Sequence, residues 1–303
     1  MKILVIVVIY NGEKWINKCF DSLLNSTIDL SIMVIDNASV DESVKLIKEN
    51  YPMIELVKAE KNLGFGKANN IGLKKAIDYN VDYVFLLNQD AWVEKDTIEK
   101  LVYVAEKNKS FGILSPFHLL PNLEELEWHF SIYISPEKCK DLYSDIYFNK
   151  TKEIYELEFV NAAAWLISKN CLLKVGGFDP LFPHYGEDDD YCNRVIFKKL
   201  KIGVTPSASI VHDITLKPWN EIKFNPVRQL IFSFIELKNV RYSFHYLLFN
   251  YIKTQLGKLF SLLVFRKWEE FFFMLKVFIK SIYYFRAIHY SRIISKKTFS
   301  YLN

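Results

Sequence analysis

Through the first hundred residues, short apolar runs alternate with stretches of helical spacing. Ile3 to Tyr10 is an unbroken apolar run rich in β-branched residues, the pattern of a strand covered on both faces. Asn11-Gly12 interrupts it, and Glu13 to Leu24 then sets Trp15, Ile16, Cys19, Phe20, Leu23 and Leu24 at helical intervals. The rhythm repeats with strands expected over Ser31–Ile35, Ile54–Lys58 and Tyr83–Leu87. The helices between and after them are expected over Asp41–Glu49, with an acidic first turn, Lys67–Asp78 and Asp96–Asn108. Such alternation predicts an α/β fold with a mainly parallel sheet and right-handed crossovers. Each strand ends in a polar loop: Tyr10-Asn11, Asp36-Asn37, Asn62 to Gly66, and Asn88-Gln89-Asp90. In a parallel sheet these ends share one edge, where open α/β sheets bind ligands.

Beyond Asn108 the rhythm changes. Residues 112–160 hold Pro116, Pro121 and Pro136 and short alternating pieces such as Glu127 to Ile132, which read as antiparallel strands and loops. This irregular stretch is expected to wall the pocket. Phe159 to Ser168 is apolar with three small residues, Ala162-Ala163-Ala164, that permit close approach. Gly176-Gly177-Phe178-Asp179 reads as a turn after a short helix. Gly186 then delivers Glu187-Asp188-Asp189-Asp190 to the start of a helix over Asp189–Leu200, with short strands at Lys201–Val204 and Ser209–His212. On pattern alone, the acidic run reads first as a solvated helix N-terminus, where the dipole favours negative charge.

Charge divides the chain. From Lys217 to the end there are 15 Lys or Arg against 4 Asp or Glu, a net of +11, which leaves the first 216 residues at about −7. The tail also carries much of the 16% aromatic content. Its apolar runs, Phe244–Tyr251, Leu256–Phe265 and Phe271–Ile279, fall short of the roughly 20 residues needed to span a bilayer. Basic and aromatic residues interleave at helical spacing, so the tail reads either as interfacial helices on an anionic membrane or as a packing and oligomer surface. Nothing in it matches a nucleic-acid reader. Four scattered cysteines suggest neither zinc nor disulfides, and the N-terminal run lacks a signal-cleavage pattern, so a cytosolic setting at the inner membrane face is expected. Gly64 and Gly66 follow the third strand without the third glycine of a dinucleotide fingerprint, which argues against a nicotinamide dehydrogenase.

Taken in order, Val8-Ile9-Tyr10-Asn11, Val34 to Ser39, Asn62 to Gly66 with Asn69-Asn70, Asn88-Gln89-Asp90, Gly176 to Asp179, and Glu187-Asp188-x-Asp190 resemble the signatures of family 2 glycosyltransferases with the GT-A fold. The likeness covers residues 1 to about 215 and is greatest to the bacterial rhamnosyltransferase and galactofuranosyltransferase-like branch. It implies a catalytic domain over 1–216, with a nucleotide-binding half to about 110 and an acceptor half from about 111; the basic, aromatic helical region read from composition over 217–303 follows it. It implies inverting transfer of a sugar from a UDP- or dTDP-linked donor to a glycan or lipid-linked acceptor in cell-surface polysaccharide synthesis.

By the same resemblance Asp188 is the catalytic base, with Glu187 and Asp190 orienting the acceptor or neighbouring groups. Asp90 and His212 hold Mg²⁺ or Mn²⁺, although Asn88 stands where many relatives have Asp, and an amide oxygen is the weaker ligand. Tyr10 packs against the nucleotide base, Asp36 accepts from it, and Asn69 reaches the ribose or phosphate, with Asn11, Asn37, Gly66, Asn88 and Gln89 lining the same crevice. Trp165 lines the acceptor pocket or packs in the core; Asp36 is otherwise a helix cap, and His212 otherwise structural. A nucleotidyltransferase of sugar-nucleotide synthesis and an inactive membrane-bound scaffold are the competing readings.

Overall fold

The computed structural model describes residues 1–214 and 224–302, so the expected boundary at 216/217 lies outside the described residues. One mixed sheet contains β1 (Ile3–Ile9), β2 (Ser31–Asp36), β3 (Glu55–Lys58), β4 (Tyr83–Asn88), β5 (Ala91–Val93), β6 (Phe111–Leu119), β7 (Tyr155–Leu157), β8 (Ala164–Ser168) and β9 (Lys201–His212). Its order is β3-β2-β1-β4-β8-β6-β9-β5, with β7 pairing β9 outside this path. The first four strands in that order run parallel, as the alternation predicts. Strand β8 is antiparallel to β4 and β6, and β5 is antiparallel to β9.

Strand β1 shows why its sequence is apolar without interruption. Leu4 and Ile6 enter a core shared with helix α3 (Phe65–Asp78), while Ile3, Val5, Val7 and Ile9 enter one shared with α1 (Ile16–Leu24) and α4 (Thr97–Lys107). Full burial of each such side chain contributes roughly 1.5–3 kcal/mol, and the double cover fixes which loop leaves which strand end. Helix α2 (Ser43–Asn50) begins after Asp41 and Glu42, so the acidic residues precede its first turn. Asp41 instead accepts the Ser43 and Glu13 N–H groups.

Two expectations are corrected. The stretch around Glu127 to Ile132 is a helix, α5 (Trp128–Tyr133), followed by α6 (Leu142–Tyr147). Its polar–apolar alternation resembled a strand, but the Glu127 carboxylate caps the His129 and Phe130 N–H groups, and Phe130 and Ile134, four apart, both point into the core. The two strands expected after Leu200 are one strand, β9, whose pairing with β6 shifts register between Pro116 and Phe117.

Helices α7 (Lys169–Val175) and α8 (Glu187–Phe197) complete the part that carries the sheet. The tail forms α9 (Pro226–Lys238), α10 (Phe244–Val264), α11 (Trp268–Tyr283) and α12 (Phe285–Ser295). Leu230, Ile231, Phe234, Leu237, Tyr251 and Ile288 form a separate small core that also receives Phe182 from the loop before α8. Among the described residues no helix is long and apolar enough to cross a membrane.

Candidate active site

The loops after β1, β2, β3 and β4 meet on one edge and are locked to one another. Gln89 accepts the Tyr10 N–H through Oε1 at 2.8 Å and donates to the Tyr10 carbonyl at 3.2 Å. Asn11, in the left-handed region at φ 49°, donates its N–H to Ser39 and accepts the Val40 N–H. Asp36 accepts the Ser39 N–H, and Asn37 bridges Asn62 and the Leu63 N–H. Asp36 and Asn37 are both buried, so each first shapes its loop. Tyr10, by contrast, is 45% exposed.

Strand β4 ends at the candidate metal position. Asp90 is partly exposed, and its Oδ1 lies 3.5 Å from Nε2 of the buried His212 on β9. The next residue, Asp213, donates its N–H to the Asp90 carbonyl and accepts from the Trp15 indole at 2.8 Å, which ties α1, β4 and β9 together. The Asn88 amide oxygen is buried with no hydrogen-bond partner among the described residues. Asp90 and His212 thus bring a carboxylate and an imidazole, ligand types that divalent cations take, within 3.5 Å of each other.

The acidic helix start sits across the same edge. Asp188 accepts the Ala162 N–H and the Asp189 N–H, while the neighbouring Ala163 carbonyl accepts the Asn88 N–H at 2.9 Å. The small-residue segment 162–164 therefore joins two sites a hundred residues apart in sequence. Burial raises the Asp188 carboxyl, with the two N–H bonds and Arg228 opposing it. Burial first, and the Asp188 charge next, push Glu187 up to about 8; its Oε2 is buried without a partner. Asp189 is raised to about 7 by burial and then by its neighbours Asp188 and Asp190.

Asp190 behaves in the opposite way. Burial alone would raise it, but Lys238 at 2.8 Å and Arg194 at 2.7 Å hold its carboxyl below the usual range. Both its oxygens are spent on a buried ion-pair network, so Asp190 is a structural clamp and not an acceptor-facing group. Three further expectations move inward. Asn69 is buried and turns its amide back to the Phe65 carbonyl. A Cβ on Gly66 would stand 2.9 Å from Phe178, so that glycine serves close packing beside Glu187. Trp165 is wholly buried and stacks on Phe178, which makes it core.

Sequence reasoning missed His118 and Glu127. Both are wholly buried, and with His212 they bring one ligand atom each within 4.8 Å of one another. They come from the irregular stretch, where no spacing marked them. Burial first, then His212, holds the His118 ring well below the usual range and hence neutral.

A mixed sheet with a parallel N-terminal half, a carboxylate–histidine pair at one strand end and an acidic helix start tied to that edge through Ala162 and Ala163 define the class: a GT-A fold. Residues 4–159, just over half of the chain, match the Glycosyl transferase family 2 model, and the chain belongs to that family. Glycosyltransferase GlyA of Streptococcus pneumoniae serotype 4 is 27% identical over 203 residues, covering 65% of this chain and 28% of GlyA. The chain thus spans less than a third of that relative's length. Among solved structures, S. aureus TarS 1–349 in complex with UDP-GlcNAc superposes with a TM-score of 0.59 at 17% identity, over 98% of this chain and 88% of that one. The mannosyltransferase PcManGT from Pyrobaculum calidifontis, in complex with GDP-Man and Mn²⁺, gives 0.59 at 15% identity over 93% and 87%.

Proposed function

We propose that this protein is an inverting glycosyltransferase that moves a hexose from a nucleotide-diphosphate donor to a glycan or lipid-linked acceptor in cell-surface polysaccharide synthesis. The observation that carries the reading is the 162–164 bridge, which holds Asp188 and the Asn88–Asp90 strand end on one edge. Asp188 accepts the acceptor hydroxyl proton as that oxygen attacks the anomeric carbon. The bond from that carbon to the diphosphate oxygen breaks on the opposite face, so the configuration inverts. The exposed Tyr10 ring offers a surface for the base, and the loops bearing Asn11, Asp36 and Asn37 shape the nucleotide crevice. Asp90 and His212 would hold Mg²⁺ or Mn²⁺, which supplies Lewis-acid compensation for the charge on the leaving diphosphate.

The resemblance to the rhamnosyl and galactofuranosyl branch and the UDP-GlcNAc bound by TarS make UDP- and dTDP-linked hexoses the first donors to test. Triphosphate binding by a nucleotidyltransferase is disfavoured by the β1 loop. Its Gly12 and Glu13 N–H groups are already taken by Ser43 and Asp41, so they do not form an anion cradle. The tail is assigned to a peripheral position on the inner membrane surface. Its α10–α11 turn presents Phe260, Phe265, Trp268 and Phe272, all more than half exposed, beside Arg266 and Lys267. Incubation with UDP-, dTDP- and GDP-sugars and either cation, with and without envelope glycolipid, should show acceptor-dependent nucleotide release. Absence of release with every donor and acceptor would favour the scaffold reading.

A further inference from the structure

The proton on one buried histidine is fixed by its neighbours. The Ser115 hydroxyl donates to the Pro116 carbonyl at 3.0 Å, so its oxygen accepts from His118 Nε2 at 3.1 Å. With the Ser115 hydroxyl so engaged the ring carries its proton on Nε2, and Nδ1 is a lone pair buried with no hydrogen-bond partner among the described residues. His212 repeats the pattern: Nε2 faces Asp90 at 3.5 Å and Nδ1 is buried without a partner. Glu127 is the third member of the cluster, its carboxylate accepting the His129 N–H at 2.7 Å, His129 Nδ1 at 2.9 Å and the Phe130 N–H at 3.0 Å. An unpaired buried polar group costs about 1–3 kcal/mol, and here two histidines that each carry one belong, with Glu127, to a trio whose ligand atoms lie within 4.8 Å of one another.

We propose that His118, Glu127 and His212 bind a transition-metal ion of the Zn²⁺ type, at a position set inward from the Asp90 carboxylate. Two imidazole nitrogens and a carboxylate oxygen are ligands Zn²⁺ takes, whereas Mg²⁺ favours an oxygen octahedron. The outer partners are already in place, with Ser115 orienting His118 and His129 orienting Glu127. Metal–ligand bonds near 2.1 Å in the tetrahedral arrangement that Zn²⁺ prefers set donors about 3.4 Å apart, so a trio spread over as much as 4.8 Å must draw together by about an ångström or more. Such an ion joins β6, the cap of α5 and β9, and so fixes the irregular wall to the strand that carries His212. The proposal shares His212 with the reading above but does not require transfer activity.

Untagged full-length protein loaded with Zn²⁺ and dialysed against Mg²⁺ buffer without nucleotide should retain a stoichiometric amount by elemental analysis. Asp90→Asn should retain as much, while His118→Phe and Glu127→Gln should lower retention at least tenfold, with circular dichroism and melting reporting that each variant is folded. X-ray absorption at the zinc edge of the unaltered protein should show imidazole scattering, a readout that needs no variant. Absence of retained Zn²⁺, retention indifferent to both substitutions, or an edge spectrum without imidazole would overturn the site. Turnover of a nucleotide sugar without Zn²⁺ retention would reject this site and keep the transferase reading; retention without turnover would do the reverse.

Discussion

Four consecutive acidic residues at the start of α8 have different fates because their surroundings differ. Asp190 meets Lys238 and Arg194 and is held ionised, while Glu187, buried and with an unpartnered oxygen, is pushed up to about 8. The second shift carries a sign for stability. Between the ordinary glutamate value near 4.5 and about 8, the folded chain keeps a proton that the unfolded chain has released. Stability from this group is therefore full at acid pH and falls as pH rises through that window. Glu187→Gln should remove the slope, raising stability at pH 8 by on the order of 1 kcal/mol or more while changing it little at pH 4.5. Urea unfolding at the two pH values reads this directly; equal effects at both would show that Glu187 is charged in the folded protein.

At the scale of elements, α8 is held as much by the tail as by the sheet. Lys238 of α9 reaches Asp190 at 2.8 Å and Asp179 at 2.9 Å and also bonds Ser295 of α12, while Arg194 donates to the Val175 and Gly177 carbonyls. Removing one partner of a buried ion network costs roughly 3–5 kcal/mol, because the remaining charges lose compensation. Lys238→Met should lower the unfolding free energy by about that much in a denaturant titration, and a loss below ~1 kcal/mol would contradict the clamp. None of this network was visible in the sequence, since it joins residues 179, 190, 238 and 295, and the pattern of one helix does not reveal which cation arrives from another. The parallel half of the sheet was legible because its strands are covered on both faces and its breaks are polar. Glu127 was not, because a carboxylate capping a six-residue helix leaves the same alternation as a short strand. Likewise His118 carries no local mark, and only the pairing of β6 with β9 brings it to His212.

Across the whole molecule, the tail and the part that carries the sheet are knitted together more closely than their opposite charges suggested. The chain end returns to the Gly176-Gly177 turn, where Gly177 donates to the Ser300 carbonyl at 2.8 Å and a Cβ on Gly176 would stand 2.1 Å from that oxygen. Gly176 sits at φ +85°, so backbone conformation and this close approach both require glycine there. Membrane binding is therefore tested by surface substitution, since truncation would open a core. Phe260→Glu with Phe265→Glu should cut co-sedimentation with phosphatidylserine vesicles several-fold and leave melting unchanged; undiminished sedimentation would move the contact off this turn. The central claim, that Asp188 and the Asn88–Asp90 strand end act on one anomeric carbon, has a direct test. Acceptor-dependent nucleotide release from a donor that the unaltered protein turns over should fall by about 10²–10⁴ in Asp188→Asn, with nucleoside diphosphate affinity within a few-fold of the unaltered value. Full activity in that variant would contradict the account.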